Sequence, residues 1–429
     1  MRFISLALMM VLTQSGGLTP VERSIASAVG AHNPEALGLL ERAVNINSGT
    51  HNFAGVRAVG DLFRHEFDAL GFKTTWVDGA AFHRAGHLIA DHPGPGPRIV
   101  LVGHLDTVFE QDSPFQKFQR IDANTAKGPG VIDMKGGDVI IIAAMTALRD
   151  AGVLKDLNVI VMFDGDEEDS GEPKSAARQA LVEASKGAQY AIGFEDGSGN
   201  PREAITARRG VSSWKVDVTG KTGHSSQIFG QALGAGANYE LARILDAFRR
   251  ELSGEAHLTL NPSLVLGGTA LDLDEALAKG NASGKTNVIP EHAVAIGDLR
   301  TLSKAQLQHA RDTMKTIVGQ SLAQTHAVVT FEDGYPALAP TDGNARLLAD
   351  YDQVSRDLGL GPVAATDPDH AGAADVSFIA DEVPAIIDGV GLMGHDDHSP
   401  GETADLSTLP TQTQRAALLL YRLSRRAAR

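Results

Sequence analysis

The residues with the clearest chemical potential follow an apolar segment in the stretch NVIVMFDGDEEDSG, residues 158–171. There the run from Val159 to Phe163 gives way to five carboxylates within six positions: Asp164, Asp166, Glu167, Glu168 and Asp169. Like charges at this spacing raise one another's pKa unless a cation lies among them. The stretch is therefore either a solvated turn or part of a metal site.

Four further polar clusters follow apolar segments, in GHLDTV, GPGVIDMKGG, FED and GHDDHSPGE. In open α/β sheets, ligands bind beyond the carboxyl ends of the strands. Taken singly, a His-x-Asp pair is typical of a surface contact. An acid just before a helix is typical of a negative charge that interacts favourably with the helix dipole. Together the clusters favour a metal site, and their candidate ligands are His104, Asp106, Asp133, Glu195, Asp196, His395 and His398.

Composition excludes several classes of protein. The 429 residues carry a net charge of −15, which argues against a nucleic acid or an anionic membrane surface as partner. The chain has no cysteine, so disulfides, thiolate metal sites and a cysteine nucleophile are excluded. Any metal ion must be held by histidines and carboxylates.

The alternation of elements predicts an α/β fold with a mainly parallel sheet flanked by helices. Helical spacing runs through 34–72 and again from Gly136 to Gly152, with apolar strands between the helical segments. From Gly210 apolar and polar residues alternate, as is typical of half-buried antiparallel strands. We therefore predict an inserted two-layer α+β module at 210–331, between the two parts of a first domain, at 20–209 and 332–429.

Residues 1–19 are similar to a secretory signal peptide. One basic residue, Arg2, precedes an apolar run from Phe3 to Leu12 that is too short to span a bilayer. This pattern predicts a periplasmic or secreted protein, which sequencing of the mature N-terminus would test. The alternative is a segment packed on the fold of a cytoplasmic protein. No later segment predicts a transmembrane helix.

Six motifs identify a family resemblance: GHLDTV, GPGVIDMKGG, DEEDSG, GKTGHSS, TNVIP and HSPGE. In order and spacing they resemble the co-catalytic zinc metallopeptidases that include glutamate carboxypeptidase, aminoacylase, acetylornithine deacetylase and succinyl-diaminopimelate desuccinylase. The resemblance covers nearly the whole chain after the first twenty residues, and FED makes bacterial glutamate carboxypeptidase the most similar subgroup. It implies a zinc-exopeptidase-like catalytic domain with the insert as a lid and dimerisation domain.

The resemblance also implies the metal ligands. Two ions, zinc or else cobalt or manganese, would share Asp133 as a bridging carboxylate. His104 and Glu195 match the other ligands of one ion, and Glu168 and His398 match those of the second. The Asp133–Met134 peptide is expected to be cis.

Two acids match roles beside the metals. Asp106 matches the carboxylate that orients the first ligand histidine, and Glu167 matches the general base. His398 is preferred to His395 as ligand because Ser399 and Glu402 follow it as in the family motif.

Substrate contacts are implied in the insert and in a later loop. His224 matches a histidine that stabilises the oxyanion, usually from the partner subunit of a homodimer. Asn287 and Arg300 match groups that hold a substrate carboxylate, and Gly372 and Asp375 lie in the segment that matches a substrate loop.

The expected function is hydrolysis of an amide bond next to a free carboxylate, with a bridging water and Glu167 as base. Small peptides or acyl amino acids would be the substrates. The alternatives are an N-acyl amino acid deacylase or a dipeptidase and, from another class, an inactive ligand-binding homologue or a loop that merely binds calcium. A hydrolysis screen and a metal analysis separate these possibilities.

Overall fold

The computed structural model describes residues 17–274 and 278–427. The segment predicted as a signal peptide, 1–19, falls mostly outside these ranges, so export stays a prediction. Among the described helices, none is long and apolar enough to cross a bilayer.

A six-stranded sheet forms the centre of the first domain. Four neighbouring strands pair in parallel, and two further strands join one side through antiparallel pairings. In spatial order the strands are Lys73–Asp78, Gly86–His92, Asn158–Asp164, Arg98–His104, Tyr190–Gly193 and Ile386–Ile387. This confirms the predicted α/β class with a mostly parallel sheet.

Both faces of this sheet are buried, and alternate side chains of each strand point to opposite faces. Ile99 and Leu101 belong to one apolar cluster, whereas Val100 and Val102 belong to another on the opposite face. The principal covering helices are Pro20–Val44, Phe53–Ala69, Lys135–Asp150, Gln179–Ser185, Asp342–Asp357 and Thr408–Ser424, and a short helix spans Lys174–Ala177.

The first helix begins earlier than the apolar spacing from residue 34 indicates. It starts at Pro20, where the Thr19 side chain accepts a hydrogen bond from the Glu22 N–H and the Glu22 carboxylate accepts one from the Thr19 N–H. This reciprocal capping stabilises the first turn. The sequence prediction missed it because Ile25 and Val29 are the only buried aliphatic side chains of its first three turns.

The segment after Gly210 forms a second sheet of four antiparallel strands. Their spatial order is Thr259–Gly268, His292–Thr301, Gly210–Gly220 and Thr325–Asp333. Trp214, Val216 and Val218 pack beneath the helices Ala237–Leu252 and Lys304–Val318. The second of these helices ends at Val318, and Gly319 is its C-terminal cap. An exposed hairpin pairs Ala270–Asp274 with Lys279–Ser283.

A small four-stranded sheet holds the GHDDHSPGE segment against the rest of the first domain. Its strands are Gly394–His395, Thr403–Asp405, Thr125–Lys127 and Gln119–Arg120. Thr403 is the register partner of Lys127. The loop that carries His398 therefore lies next to the loop that carries Asp133, although 265 positions separate these two residues in the chain. A further two-stranded pair joins Ala364–Ala365 to Glu203–Ala204.

Candidate metal centre

Three of the predicted ligand clusters meet because they follow neighbouring parallel strands. His104 is the register partner of Asp164, so the carboxylates after Asp164 emerge beside the histidine. Glu195 follows the strand on the other side of the His104 strand. The clusters thus share the carboxyl edge of the sheet, where open α/β sheets bind ligands.

The first group of candidate ligands consists of His104, Asp133 and Glu195. The His104 Nε2 lies 3.1 Å from Asp133 Oδ1 and 3.7 Å from Glu195 Oε1. The His104 side chain is 1% exposed, and the two carboxylates are 10% and 15% exposed. These three donors can surround one cation.

The second group shares Asp133 with the first. The His398 Nε2 lies 2.9 Å from Asp133 Oδ2 and 3.1 Å from Glu168 Oε2. The two oxygens of Asp133 therefore face different histidines, as a bridging carboxylate requires. His395, the alternative ligand, is exposed and instead contacts Asp396. The Asp133–Met134 peptide is cis, as expected.

Asp106 connects His104 to the acidic loop. The Nδ1 of His104 lies 3.1 Å from the Asp106 backbone oxygen and 3.5 Å from its carboxylate, so the proton belongs on Nδ1 and the Nε2 lone pair faces the other ligands. The Asp106 carboxylate also accepts hydrogen bonds from the backbone N–H groups of Glu167 and Glu168, at 3.0 and 3.2 Å. One buried carboxylate thereby orients a histidine and both glutamates.

Glu402 organises the loop before Asp133. Its buried carboxylate accepts hydrogen bonds from the backbone N–H groups of Gly130, Ile132 and Asp133, at 2.8, 2.9 and 3.2 Å. The HSPGE motif thus supplies a ligand candidate and, four residues later, an acid that holds the loop of the bridging carboxylate. The sequence pointed to Glu402 only as part of the motif.

The donor set fits a pair of divalent cations. The Glu168 Oε1 atom is buried and, within the described residues, has no hydrogen-bond partner. Burial, together with the charge of Asp133, raises the pKa of Glu168 to about 7. Burial also holds the pKa of Glu195 well above its usual range. Cations among these acids would compensate their charge, and imidazole with carboxylate ligands suits zinc.

Glu167 belongs to neither group of ligands. Burial raises the pKa of its carboxyl well above the usual range, and the charge of Asp375 adds to this effect. A glutamate next to a candidate ligand but outside both groups, with a raised pKa, is a candidate for a general base.

Two of the predicted residues of the insert, His224 and Asn287, lie next to each other near one end of the strand His292–Thr301, whereas Arg300 lies near the other end of that strand. His224 forms an isolated bridge with Val288, and the Ser225 N–H donates to the Asn287 carbonyl at 2.9 Å. Arg300 is 38% exposed, and its Nε donates to Asp298 at 3.1 Å. The contacts described for these side chains do not reach the candidate ligands.

The predicted substrate loop makes structural contacts. The Gly372 carbonyl accepts a hydrogen bond from Arg208 at 2.6 Å, and Asp375 is buried in an ion pair with Arg178 at 2.6 Å. Sequence analysis missed Arg178. The signal that could have revealed it is a charged residue beside the apolar face of the helical segment SAARQALVEAS.

The fold and the paired ligand groups define a class of protein, the metal-dependent hydrolases with two metal positions at one sheet edge. A model of Peptidase family M20/M25/M40 matches residues 100–422, and the chain belongs to this family. The family and the metallopeptidase or amidohydrolase class predicted from the motifs are therefore confirmed.

Individual relatives agree with this assignment. Carboxypeptidase G2 of Pseudomonas sp. (strain RS-16) is 26% identical over 397 residues, which are 91% of this chain and 89% of that protein. An acetylornithine deacetylase of Arabidopsis thaliana is 28% identical over 183 residues, 38% of this chain and 40% of that protein.

Solved structures support the fold. Aminopeptidase PepT from Bacillus cereus superposes with a TM-score of 0.72 at 17% identity, over 92% of this chain and 99% of that chain. A dinuclear metal-binding peptidase of the M20 family from Bacillus subtilis gives a TM-score of 0.63 at 17% identity, over 91% and 98% of the two chains.

Proposed function

We propose that this protein is a dizinc carboxypeptidase of the glutamate-carboxypeptidase type, which hydrolyses an amide bond next to a free carboxylate. The observation that carries the proposal is the pair of ligand groups that share Asp133, with Glu167 adjacent to one of them. The similarity to carboxypeptidase G2 along 91% of the chain favours this reaction over others of the family.

The domain with residues 20–209 and 332–429 would carry the metal centre. His104, Asp133 and Glu195 would hold one ion, and Asp133, Glu168 and His398 the other. When bound, the ions supply Lewis acidity, which polarises the amide carbonyl and makes water more acidic near neutral pH. Zinc suits the histidine and carboxylate donors, and cobalt or manganese would also fit.

Glu167 would move the proton. Its carboxylate accepts a proton from the attacking water and then delivers it to the nitrogen of the leaving group. The hydrogen bond from its backbone N–H to Asp106, at 3.0 Å, would hold it beside the ligands during both steps. The buried surroundings that raise its pKa favour its protonated form between these steps.

Arg300 would anchor the free carboxylate of the substrate. A guanidinium can bind a carboxylate through two parallel hydrogen bonds, and loss of such a contact costs about 1.5–3 kcal/mol. We expect Arg300→Met to lower kcat/KM for a free-acid substrate by about one to two decades, measured by initial rates. The C-terminal amide of the same substrate should be cleaved poorly by wild type and variant alike.

Arg249→Met is the matched control for Arg300→Met. Arg249 also lies in the insert, where it forms an exposed ion pair with Asp246 at 3.0 Å, and such pairs contribute little. Its variant should keep wild-type kinetics. Equal rates of wild type on the free acid and on the amide would contradict both the anchoring role and the carboxypeptidase assignment.

Two other reactions of the family remain candidates for the specific substrate. The similarity to an acetylornithine deacetylase favours an N-acyl amino acid, and the similar fold of the dipeptidase Dug1p from Saccharomyces cerevisiae, with a TM-score of 0.62, is compatible with dipeptides. A screen of the metal-loaded protein across peptides with different C-terminal residues and across N-acyl amino acids distinguishes them. Absence of any turnover would instead favour an inactive ligand-binding homologue.

The insert, 210–331, would form a homodimer that places His224 near the partner's metal centre. This proposal accounts for an exposed His224 that neighbours Asn287 but lacks a described contact with the ligands of its own chain. We expect Glu167→Gln and His224→Ala to be inactive separately and to recover about one quarter of wild-type activity when co-assembled at equal amounts, because random pairing restores one site in half of the dimers.

Analytical ultracentrifugation of the same samples reports the assembly state. A fully active monomer would contradict the dimer, and failure of the two variants to complement in mixed dimers would contradict action of His224 across the interface.

A further inference from the structure

The peptide groups around Glu167 are held from two directions. Its N–H donates to the Asp106 carboxylate at 3.0 Å, and its carbonyl oxygen accepts a hydrogen bond from the Tyr335 hydroxyl at 2.7 Å. Asp106 lies at the sheet edge beside the ligands. Tyr335 lies in the connection through which the chain leaves the insert, two residues after the strand Thr325–Asp333.

The Tyr335 hydroxyl has a complete set of hydrogen-bond partners. It donates to Glu167, and its oxygen lies 2.8 Å from Arg178 Nη2 and 2.8 Å from Ser170 Oγ. With the proton directed at Glu167, the phenol oxygen accepts from both other groups. The phenol ring packs on Phe378, with ring centroids 4.9 Å apart. Both its ring and its hydroxyl are therefore constrained.

Arg178 extends this contact along the acidic loop. Its buried guanidinium donates to the Asp166 carboxylate at 2.5 Å, to the Asp166 carbonyl at 3.0 Å and to Ser170 Oγ at 2.9 Å. On its other side it pairs with Asp375 at 2.6 Å. A planar guanidinium with its donors engaged in this way has a fixed orientation. Arg178 and Tyr335 together therefore hold the loop from 166 to 170.

We propose that Tyr335 is a positioning residue for the general base. Its hydroxyl fixes the Glu167 carbonyl, and with Asp106 at the Glu167 N–H this sets the direction in which the Glu167 side chain leaves the backbone. The inference rests on the proposed function, in which Glu167 transfers the proton. It adds that the base is positioned from the connection to the insert as well as from the edge of the sheet.

The test is Tyr335→Phe in the metal-loaded, full-length protein. The variant removes one hydroxyl and keeps the ring that packs on Phe378. Loss of the hydrogen bond and a small displacement of the base should lower kcat by about 10- to 100-fold. Because neither the ligands nor the substrate contacts change, KM should stay within about twofold of wild type and the metal content should be unchanged.

Tyr351→Phe is the matched control. Tyr351 is 1% exposed, its hydroxyl lies 3.4 Å from Gln412 Oε1, and its ring neighbours Arg415, so this variant also removes a buried hydroxyl close to an arginine. It lies in the helix Asp342–Asp357, which carries none of the candidate ligands. We expect some loss of thermal stability in both variants, but a kcat within about twofold of wild type for Tyr351→Phe.

Three results would overturn the inference: a wild-type kcat for Tyr335→Phe, a raised KM with kcat unchanged, or loss of metal. If Tyr335→Phe does not fold, Ser170→Ala decides, because it removes one partner of the phenol and leaves both carboxylates of Arg178 in place. It should lower kcat by about 2- to 10-fold, and an unchanged kcat would overturn the proposal.

Glu167→Gln separates this inference from the function on which it rests. If that variant retains wild-type turnover, the base assignment fails and the positioning role fails with it. If it is inactive while Tyr335→Phe is fully active, the proposed function stands and only the positioning role of Tyr335 is wrong.

Discussion

Replacement of Glu167 by glutamine is expected to lower kcat by between about 10² and 10⁴-fold, the usual contribution of a general base. Glutamine has nearly the same shape but cannot accept the proton of the attacking water. The backbone N–H that donates to Asp106 and the carbonyl that accepts from Tyr335 are unaffected by the change. We therefore expect the variant to keep its metal content, measured by inductively coupled plasma mass spectrometry.

Glu168→Gln is the matched control because it makes the same chemical change one residue later. Glu168 Oε2 lies 3.1 Å from the His398 Nε2, and its Oε1 is buried without a described partner, so its charge should serve the metal. This variant should first lose metal from the second position. Its activity, when measured in excess metal, should be affected less. Equal loss of metal in the two variants would show that the roles of base and ligand are assigned wrongly.

Asp133→Ala is expected to remove both metal ions. The two Asp133 oxygens face different histidines, at 3.1 Å from His104 and 2.9 Å from His398, so one substitution deletes a donor from each group. The fall in affinity should exceed the about 10–100-fold cost of losing an outer-shell partner of a metal. Competition with a chromogenic chelator measures the affinity, and activity should fall in parallel.

His398→Ala separates a shared from an unshared ligand. This histidine belongs to the second group only, so its variant should keep the ion held by His104 and Glu195. Retention of one tightly bound ion by Asp133→Ala would contradict the bridging role. Loss of both ions from His398→Ala would show that the two positions fill only together.

The sequence by itself determined the fold class, the family and the candidate ligands. Strand ends can be found locally, because apolar runs such as Val159 to Phe163 stop where polar residues begin. Parallel neighbours bring those ends to one edge, so side chains after separate strands can be expected to meet. His104 ends one strand and Glu195 follows the adjacent strand of the observed sheet, in keeping with that expectation.

The family motif identified the candidate ligands that lie far apart in the sequence. His398 and Asp133 are far apart in sequence, and no periodicity predicts that a short antiparallel pair, Thr403–Asp405 with Thr125–Lys127, joins their loops. The family motif nevertheless favoured His398 over His395. The structure places His398 against Asp133 and Glu168, and His395 against the exposed Asp396.

Only the tertiary structure decided how the acidic loop is held. Tyr335 and Glu167 are separated by 168 positions, Arg178 and Asp375 by 197, and Glu402 and Gly130 by 272. Local pattern encodes which face of a helix or strand is buried, but it does not encode which distant polar group reaches a given buried donor or acceptor. That pairing depends on how the insert, the sheet and the last loops pack together. A buried polar group must find its partner there, because leaving it unpaired costs about 1–3 kcal/mol.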